Sequence, residues 1–272
     1  MVLSQDIEKI FKEYKGRIFG LALSITGNEK DAEDVLQNTM VKIIDNLQGF
    51  RKESSLSTWI YKIAYREALM NLRKKYRQSR PLDFFRKKGI DGRYALFVNW
   101  SKLPDEQLLD KEFRERIDKA IRGLPIKYRM ALLLHNFNDF SLKDTGAVLR
   151  LKDNSVKTRV HRGLLMIKDE ISDYLRDKDG KEGREVKKCG NVTGFVFNYA
   201  SGKLNRLNRR AFDRHIRDCS GCKDFFDSYS EAIRITRALE CRDIPSDLQK
   251  KIETFLFSGH LNSDNEKGGG KR

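Results

Sequence analysis

The sequence predicts an all-α protein: two small helical domains joined by a basic linker, followed by a small helical zinc-binding domain. Three observations predict it. Apolar residues recur at three- and four-residue spacing through most of the 272 residues, the period of a helix with one buried face. Turn signals and charge runs interrupt that period at defined places. Near the end, His215-x3-Cys219-x2-Cys222 gathers metal-ligand chemistry within eight residues.

The first domain is expected over 1–76. Ile7, Ile10, Phe11 and Tyr14, then Ile18, Leu21, Ala22 and Ile25, mark one helical face, which Thr26-Gly27-Asn28 ends. Ala32, Val35, Leu36, Thr39, Met40, Ile43 and Ile44 mark the next. Asp31, Glu33 and Asp34 crowd its first turn, where carboxylates favour the helix dipole. A third helix carries Trp59, Ile60, Ile63, Ala64, Ala68 and Leu72, with Ser57 or Thr58 as its cap. Residues 77–103 read as a basic linker containing Pro81, Phe84 and Phe85.

The second domain is expected over 104–175. It has a helix from Asp105 to Ile121, another opened by Pro125, and two more at Ser141–Leu149 and Ser155–Tyr174. A polar linker at 176–188 separates it from the zinc-binding domain at 189–257. A glycine-rich tail at 258–272 is expected to be flexible.

With 55 Lys and Arg against 39 Asp and Glu, the chain has a formal net charge of +16, which attracts polyanions. Nucleic acid is the leading partner by charge. No basic-then-apolar leader and no apolar run of membrane-spanning length is visible, and four cysteines do not make a disulfide scaffold. The expectation is a cytoplasmic protein without membrane insertion.

Two helices separated by Arg150–Asn154 suggest a helix-turn-helix. Leu142, Thr145, Gly146 and Leu149 would face inward from the first. The second has an apolar stripe of Val156, Val160, Leu164 and Ile167, with Lys157, Arg159, Arg162, Ser155, Thr158 and His161 elsewhere around it. Such a helix can enter the major groove and meet phosphates and base edges. A second constellation lies earlier: Phe50, Trp59, Tyr61 and Tyr65 stand among Arg51, Lys52, Lys62 and Arg66. Aromatic rings stack on unpaired bases while cations hold the backbone, although Trp59 and Tyr65 also suit a helical core.

The two constellations, in this order, resemble the extracytoplasmic-function group of bacterial sigma factors. The likeness lies in DAEDVLQNTMVKI (Asp31–Ile43), FRKESSLSTWIYKIAYREALMNLRKK (Phe50–Lys75) and LPIKYRMALLLHNFNDFSLKDTGAVLRLKDNSVKTRVHRGLLMIK (Leu124–Lys168). The resemblance implies recruitment of core RNA polymerase to promoters, with no catalytic chemistry in this chain. It places Asp34, Gln37 and Asn38 at the polymerase surface. Phe50, Arg51, Ser55, Trp59, Asn71 and Arg73 fall at the minus-ten element. Ser155, Lys157, Thr158, Arg159 and Arg162 fall on the helix that reads the minus-thirty-five element. Leu149-Arg150 stands where the family usually has Leu-Gly, and Thr145 where it has a branched apolar residue.

Cys189, 26 residues before His215, completes a Cys3His set with Cys219 and Cys222. Four protein ligands leave no open coordination position, which points to a structural Zn2+ ion. Cys241 is left over, as a small core residue or a substitute ligand. The segment around these ligands, with Tyr199-x-x-Gly202-x-Leu204 at its centre, resembles the zinc domain of zinc-associated anti-sigma factors. That implies anti-sigma regulation, either intramolecular or by a separate partner. The competing reading is a zinc-containing helix-turn-helix regulator that binds DNA without joining the polymerase. An enzyme is the weakest class, because no phosphate loop or nucleophile–base pair is present.

Overall fold

The computed structural model describes residues 2–78, 98–99, 111–179, 189–241 and 243–256. Most of the basic linker, residues 180–188 of the polar linker, the start of the helix expected from Asp105 and the tail from 258 lie outside these. The described chain is helical apart from two two-residue strands, and it forms two compact units.

The first unit is drawn from Met1–Asn99, Lys143–Lys152 and Glu240–Arg272. Helices α1 (Val2–Thr26), α2 (Glu29–Asn46) and α3 (Leu56–Gln78) pack on one another. Their core holds Ile7, Phe11, Ile18, Leu36, Met40, Ile43, Ile60 and Tyr61, all nearly inaccessible to water. Burying each such side chain favours folding by about 1.5–3 kcal/mol. Gly27 ends α1 with φ 66°, a left-handed conformation that costs glycine nothing, and its N–H donates to the Leu23 carbonyl at 2.8 Å. Asn28 then caps α2 by accepting the Asp31 N–H at 3.1 Å.

The cap of α3 differs from expectation. Ser55, not Ser57 or Thr58, accepts the Thr58 N–H at 3.1 Å. Thr58 is buried, and its hydroxyl donates to Asp144 Oδ1 at 3.2 Å in α6 (Leu142–Leu149). Strand β1 (Val98–Asn99) pairs antiparallel with β2 (Glu240–Cys241), in the register Val98 to Cys241. The last helix, α11 (Ser246–Thr254), also belongs to this unit. Gln249 accepts from Lys15 of α1 at 2.5 Å, and Lys251 lies 3.6 Å from Glu33 of α2.

The end of α6 settles the departure at Leu149-Arg150. Arg150 takes φ 56°, and the Leu151 N–H returns to the Gly146 carbonyl at 2.9 Å. This is the closure in which a left-handed residue follows the helix. Arginine therefore makes the turn that the family usually gives to glycine. Thr145 is fully buried, and its hydroxyl has no hydrogen-bond partner.

The second unit is drawn from Trp100–Leu142 and Asp153–Leu239. It contains α4 (Lys111–Gly123), α5 (Ile126–Leu132), a π-helical turn (Leu133–Phe137) and α7 (Asp153–Asp179). It continues with α8 (Gly190–Ala200), α9 (Arg206–Asp218) and α10 (Ser220–Ala238). The long α7 is its spine. Val156, Val160, Leu164, Ile167 and Ile171 are buried along one stripe, as the spacing predicts. Helices α4, α5 and α10 all pack on it. Phe113 of α4 lies 4.7 Å from the Tyr174 ring, and Arg116 reaches Asp177 at 2.8 Å. Helix α10 is pinned further by a buried bond from Asn136 Nδ2 to Thr236 Oγ1 at 2.8 Å.

Candidate nucleic-acid interface and metal centre

The metal ligands converge. One ligand atom from each of Cys189, His215, Cys219 and Cys222 lies within 4.8 Å of the others. A tetrahedral site with Zn–S bonds of about 2.3 Å spaces its ligand atoms about 3.5–3.8 Å apart, so modest side-chain adjustment admits the ion. Each ligand sits at a helix end. Cys189 is the N-cap of α8, and His215 lies in the last turn of α9. Cys219 both ends α9 and opens α10, its N–H donating to the His215 carbonyl at 2.9 Å. Cys222 follows in the first turn of α10, its sulfur 3.2 Å from His215 Nε2.

Helix N-termini favour thiolate, the form that binds metal. Hydrogen bonding, chiefly from the Cys222 backbone N–H, holds the Cys219 thiol below its ordinary range. Burial pushes the Cys222 thiol up to about 12, so metal must displace its proton. This donor set suits a structural Zn2+ ion, held by four protein side chains. The side chain of Cys241 lies outside the described residues, and Cys189 lies within reach as the fourth ligand.

An aromatic cluster supports the ligands. Tyr199 stacks on Phe212 with centroids 4.4 Å apart, Phe226 meets both edge-on, and the Tyr199 hydroxyl donates to Asp213 at 2.6 Å. The Tyr-x-x-Gly-x-Leu run now has a physical reason. Gly202, at φ 68°, follows α8; its N–H returns to Tyr199 O at 3.0 Å, and that of Lys203 to Asn198 O at 2.8 Å. Leu204 then packs into the cluster.

The helix that would read DNA has its own chain as a neighbour. Lys157 Nζ donates to Asn198 Oδ1 of α8 at 2.7 Å and stands 5.6 Å from the Phe197 ring centroid. His161, read from sequence as a phosphate or base contact, instead shares a 2.8 Å hydrogen bond with the Tyr229 hydroxyl of α10. Its ring lies 6.0 Å, edge-on, from Phe197. Burial, then the positive charges of Lys157 and Arg162, pull the His161 pKa below its ordinary value. Lys168 lies over Phe225 of α10 at 4.9 Å. Ser155, Thr158 and Arg162 are exposed and Arg159 is half-buried. Thr158 donates back to the Asn154 carbonyl, and Arg162 Nη1 lies 3.2 Å from the Tyr128 hydroxyl.

In the first unit, Phe50 and Trp59 are both half-buried and pack with centroids 5.2 Å apart, so Phe50 is less free than its loop position suggests. Arg51, Ser55 and Arg73 are exposed. The Asn71 Oδ1 atom is buried without a hydrogen-bond partner. Asp34, Gln37 and Asn38 share one face of α2, where Asp34 and Asn38 are exposed.

Residues 10–78 match the family described as Sigma-70 region 2, and residues 114–167 match Sigma-70, region 4. The chain is 30% identical over 165 residues to the ECF RNA polymerase sigma factor SigW of Bacillus subtilis (strain 168), covering 59% of this chain and 86% of that protein. It is 26% identical over 160 residues to the RNA polymerase sigma factor SigV of the same strain, covering 59% of this chain and 87% of that one. Against the ECF RNA polymerase sigma factor SigE of Mycolicibacterium smegmatis (strain ATCC 700084 / mc(2)155), it is 26% identical over 174 residues, 62% of this chain and 61% of that one. With both sigma-70 regions in order and this likeness over most of SigW, the chain belongs to the ECF RNA polymerase sigma factors, non-catalytic initiation factors that bring core RNA polymerase to promoters.

Proposed function

We propose that the chain is a cytoplasmic sigma factor that its own zinc segment holds closed. One observation carries this reading: Lys157 and His161, on the promoter-reading helix α7, are engaged by Asn198, Phe197 and Tyr229 from α8 and α10. An ammonium has three donors, but one held to Asn198 and seated over the Phe197 ring lies under α8 and must leave that position to reach a base or phosphate. Helix α11 supports a second closure, because its Lys251 pairs with Glu33, next to Asp34.

In this reading, 1–76 binds polymerase through Asp34, Gln37 and Asn38. It meets the minus-ten element through Phe50, Arg51, Ser55, Trp59, Asn71 and Arg73. Residues 104–175 read the minus-thirty-five element with Ser155, Lys157, Thr158, Arg159 and Arg162. Residues 189–257 regulate, and the basic and polar linkers at 77–103 and 176–188 let the parts separate.

The test compares wild-type full-length chain with Asn198→Ala/Tyr229→Phe, on promoters selected from a random library with core polymerase and the double variant. Each hydrogen bond contributes about 1 kcal/mol net, so removing two should raise promoter affinity up to about thirtyfold, with transcription rising in the same direction. Equal affinity and equal transcript yield in the two proteins would reject closure.

A further inference from the structure

We infer that α9 carries a further nucleic-acid site, apart from the two promoter-reading ones: an arginine stripe that binds the phosphate backbone of duplex DNA without regard to sequence. Helix α9 holds five arginines against two aspartates within 13 residues. Arg209 turns toward the aromatic cluster and lies 5.4 Å from the Tyr199 ring. The other four, Arg206, Arg210, Arg214 and Arg217, are exposed. Their spacing of four, four and three residues lines them along one side, with a cation about every 6 Å.

No ion pair engages these four among the described residues; Arg217 makes a bond to the Asp213 backbone carbonyl at 3.3 Å. Asp213 is occupied by Tyr199, which leaves Asp218, exposed at the C-terminal end, as the acidic group of the helix free to face solvent. Neutralising the metal centre does not account for the stripe. A divalent ion with three thiolates carries one net negative charge, and Arg206 and Arg210 lie nine and five residues before the His215 ligand, about 2.5 and 1.4 turns.

The stripe is also held in place. The opposite face of α9 gives Phe212, His215 and Ile216 to the aromatic cluster and the metal centre. The arginines therefore project from a helix anchored along its length, so little backbone order remains to be lost on binding. Guanidinium suits the ligand, because its planar fork donates two parallel hydrogen bonds to one phosphate. Leu207, 79% exposed beside Arg206 and Arg210, gives the stripe an apolar neighbour that can lie against sugars.

This site needs no promoter sequence and does not rest on closure of α7. The closed chain keeps it, so a sigma factor unable to read a promoter still stays on DNA. The test uses full-length zinc-loaded protein and a 20-base-pair duplex selected against by the chain with core polymerase. Binding is followed by fluorescence anisotropy across a salt series. Arg206→Gln/Arg210→Gln/Arg214→Gln/Arg217→Gln should lower affinity at least tenfold and flatten the slope of log affinity against log salt by about 3–4, since each lost phosphate contact removes about 0.9. Arg206→Gln/Arg210→Gln, remote from the metal ligands, should flatten it by about half as much with unchanged zinc content. Affinity within twofold of wild type and an unchanged slope in both variants would overturn the inference. So would unchanged DNA binding with lost capture of core polymerase, which would make the stripe a protein contact.

Discussion

Helix α9 and the first half of α7 are both amphipathic and basic, yet they hold their cations differently. On α7, Lys157 and His161 are met by an amide, a phenol and aromatic rings from the same chain. On α9, four arginines face outward and the apolar side is spent on the metal centre. The lesson is that a basic face is available for DNA only where nothing else in the fold has claimed it. Both basic stretches would pass for DNA contacts by sequence alone, whereas their neighbours leave one engaged and the other facing solvent.

The largest effect on this comparison should come from the metal. Cys222 is 3% exposed, and its thiol belongs to both the ligand set and the aromatic cluster. Cys222→Ser, or chelation of the wild type, should take bound zinc from one per chain to none and abolish cooperative unfolding of the segment from Cys189. Structural zinc contributes on the order of 10 kcal/mol to such small units. Metal analysis with near-UV circular dichroism checks this. A segment that keeps its tertiary signal without metal would show that the aromatic cluster suffices.

A smaller effect is expected from acid. Burial and two neighbouring cations depress the His161 pKa, so docking of α8 and α10 on α7 favours the neutral imidazole. The docked state binds fewer protons than the open one. Docking is therefore strongest above about pH 6.5 and weakens as pH falls below that value, until the depressed value is passed. The groups facing the ring are Tyr229 from α10, Phe197 from α8, and Lys157 and Arg162 on its own helix. His135 is depressed as well, chiefly by burial, and adds to the acid sensitivity of the same unit. His161→Gln should flatten the pH dependence of amide exchange in α8 between pH 7.5 and 5.5, leaving the part due to His135 and the metal. An identical profile in the variant would assign the whole effect to those other groups.

The smallest effect lies at the turn before α7. Left-handed backbone costs an L-residue about 1–2 kcal/mol, and glycine returns about 0.5–1 kcal/mol of that as chain entropy. Arg150→Gly should thus stabilise the chain by about 0.5–1 kcal/mol, read as a higher denaturant midpoint. Promoter affinity should not change, because the contacts that close α7 are side-chain bonds to α8 and α10. A changed affinity would give the turn a part in closure.

Much of this was legible in the sequence, for a definite physical reason. The main helices follow from local apolar spacing, and three of the four ligands from a His-x3-Cys-x2-Cys run that one helix junction brings together. Cys189 was within reach because it precedes a helix that returns to the same cluster. What was not legible depends on distant partners. Lys157 meets a residue 41 positions away and His161 one 68 away, and no local pattern encodes either. The pairing of Val98 with Cys241 and the attachment of α11 through Lys15 and Glu33 are non-local for the same reason. At Ser55, Ser57 and Thr58, three adjacent cap formers compete. Ser55 caps while Thr58 turns inward to Asp144, a partner 86 residues away.

Cys219 is the last word of one helix and the first of the next, and its three co-ligands belong to the same two helices and the start of a third. The quartet thus works as a pin through three rods. Pulling one ion loosens the rod that presents arginines and the two that lie over α7 in a single act. Whatever competes for that ion, a chelator or another protein's ligand set, would therefore speak to chromosome retention and promoter reading together, with a stoichiometry of one.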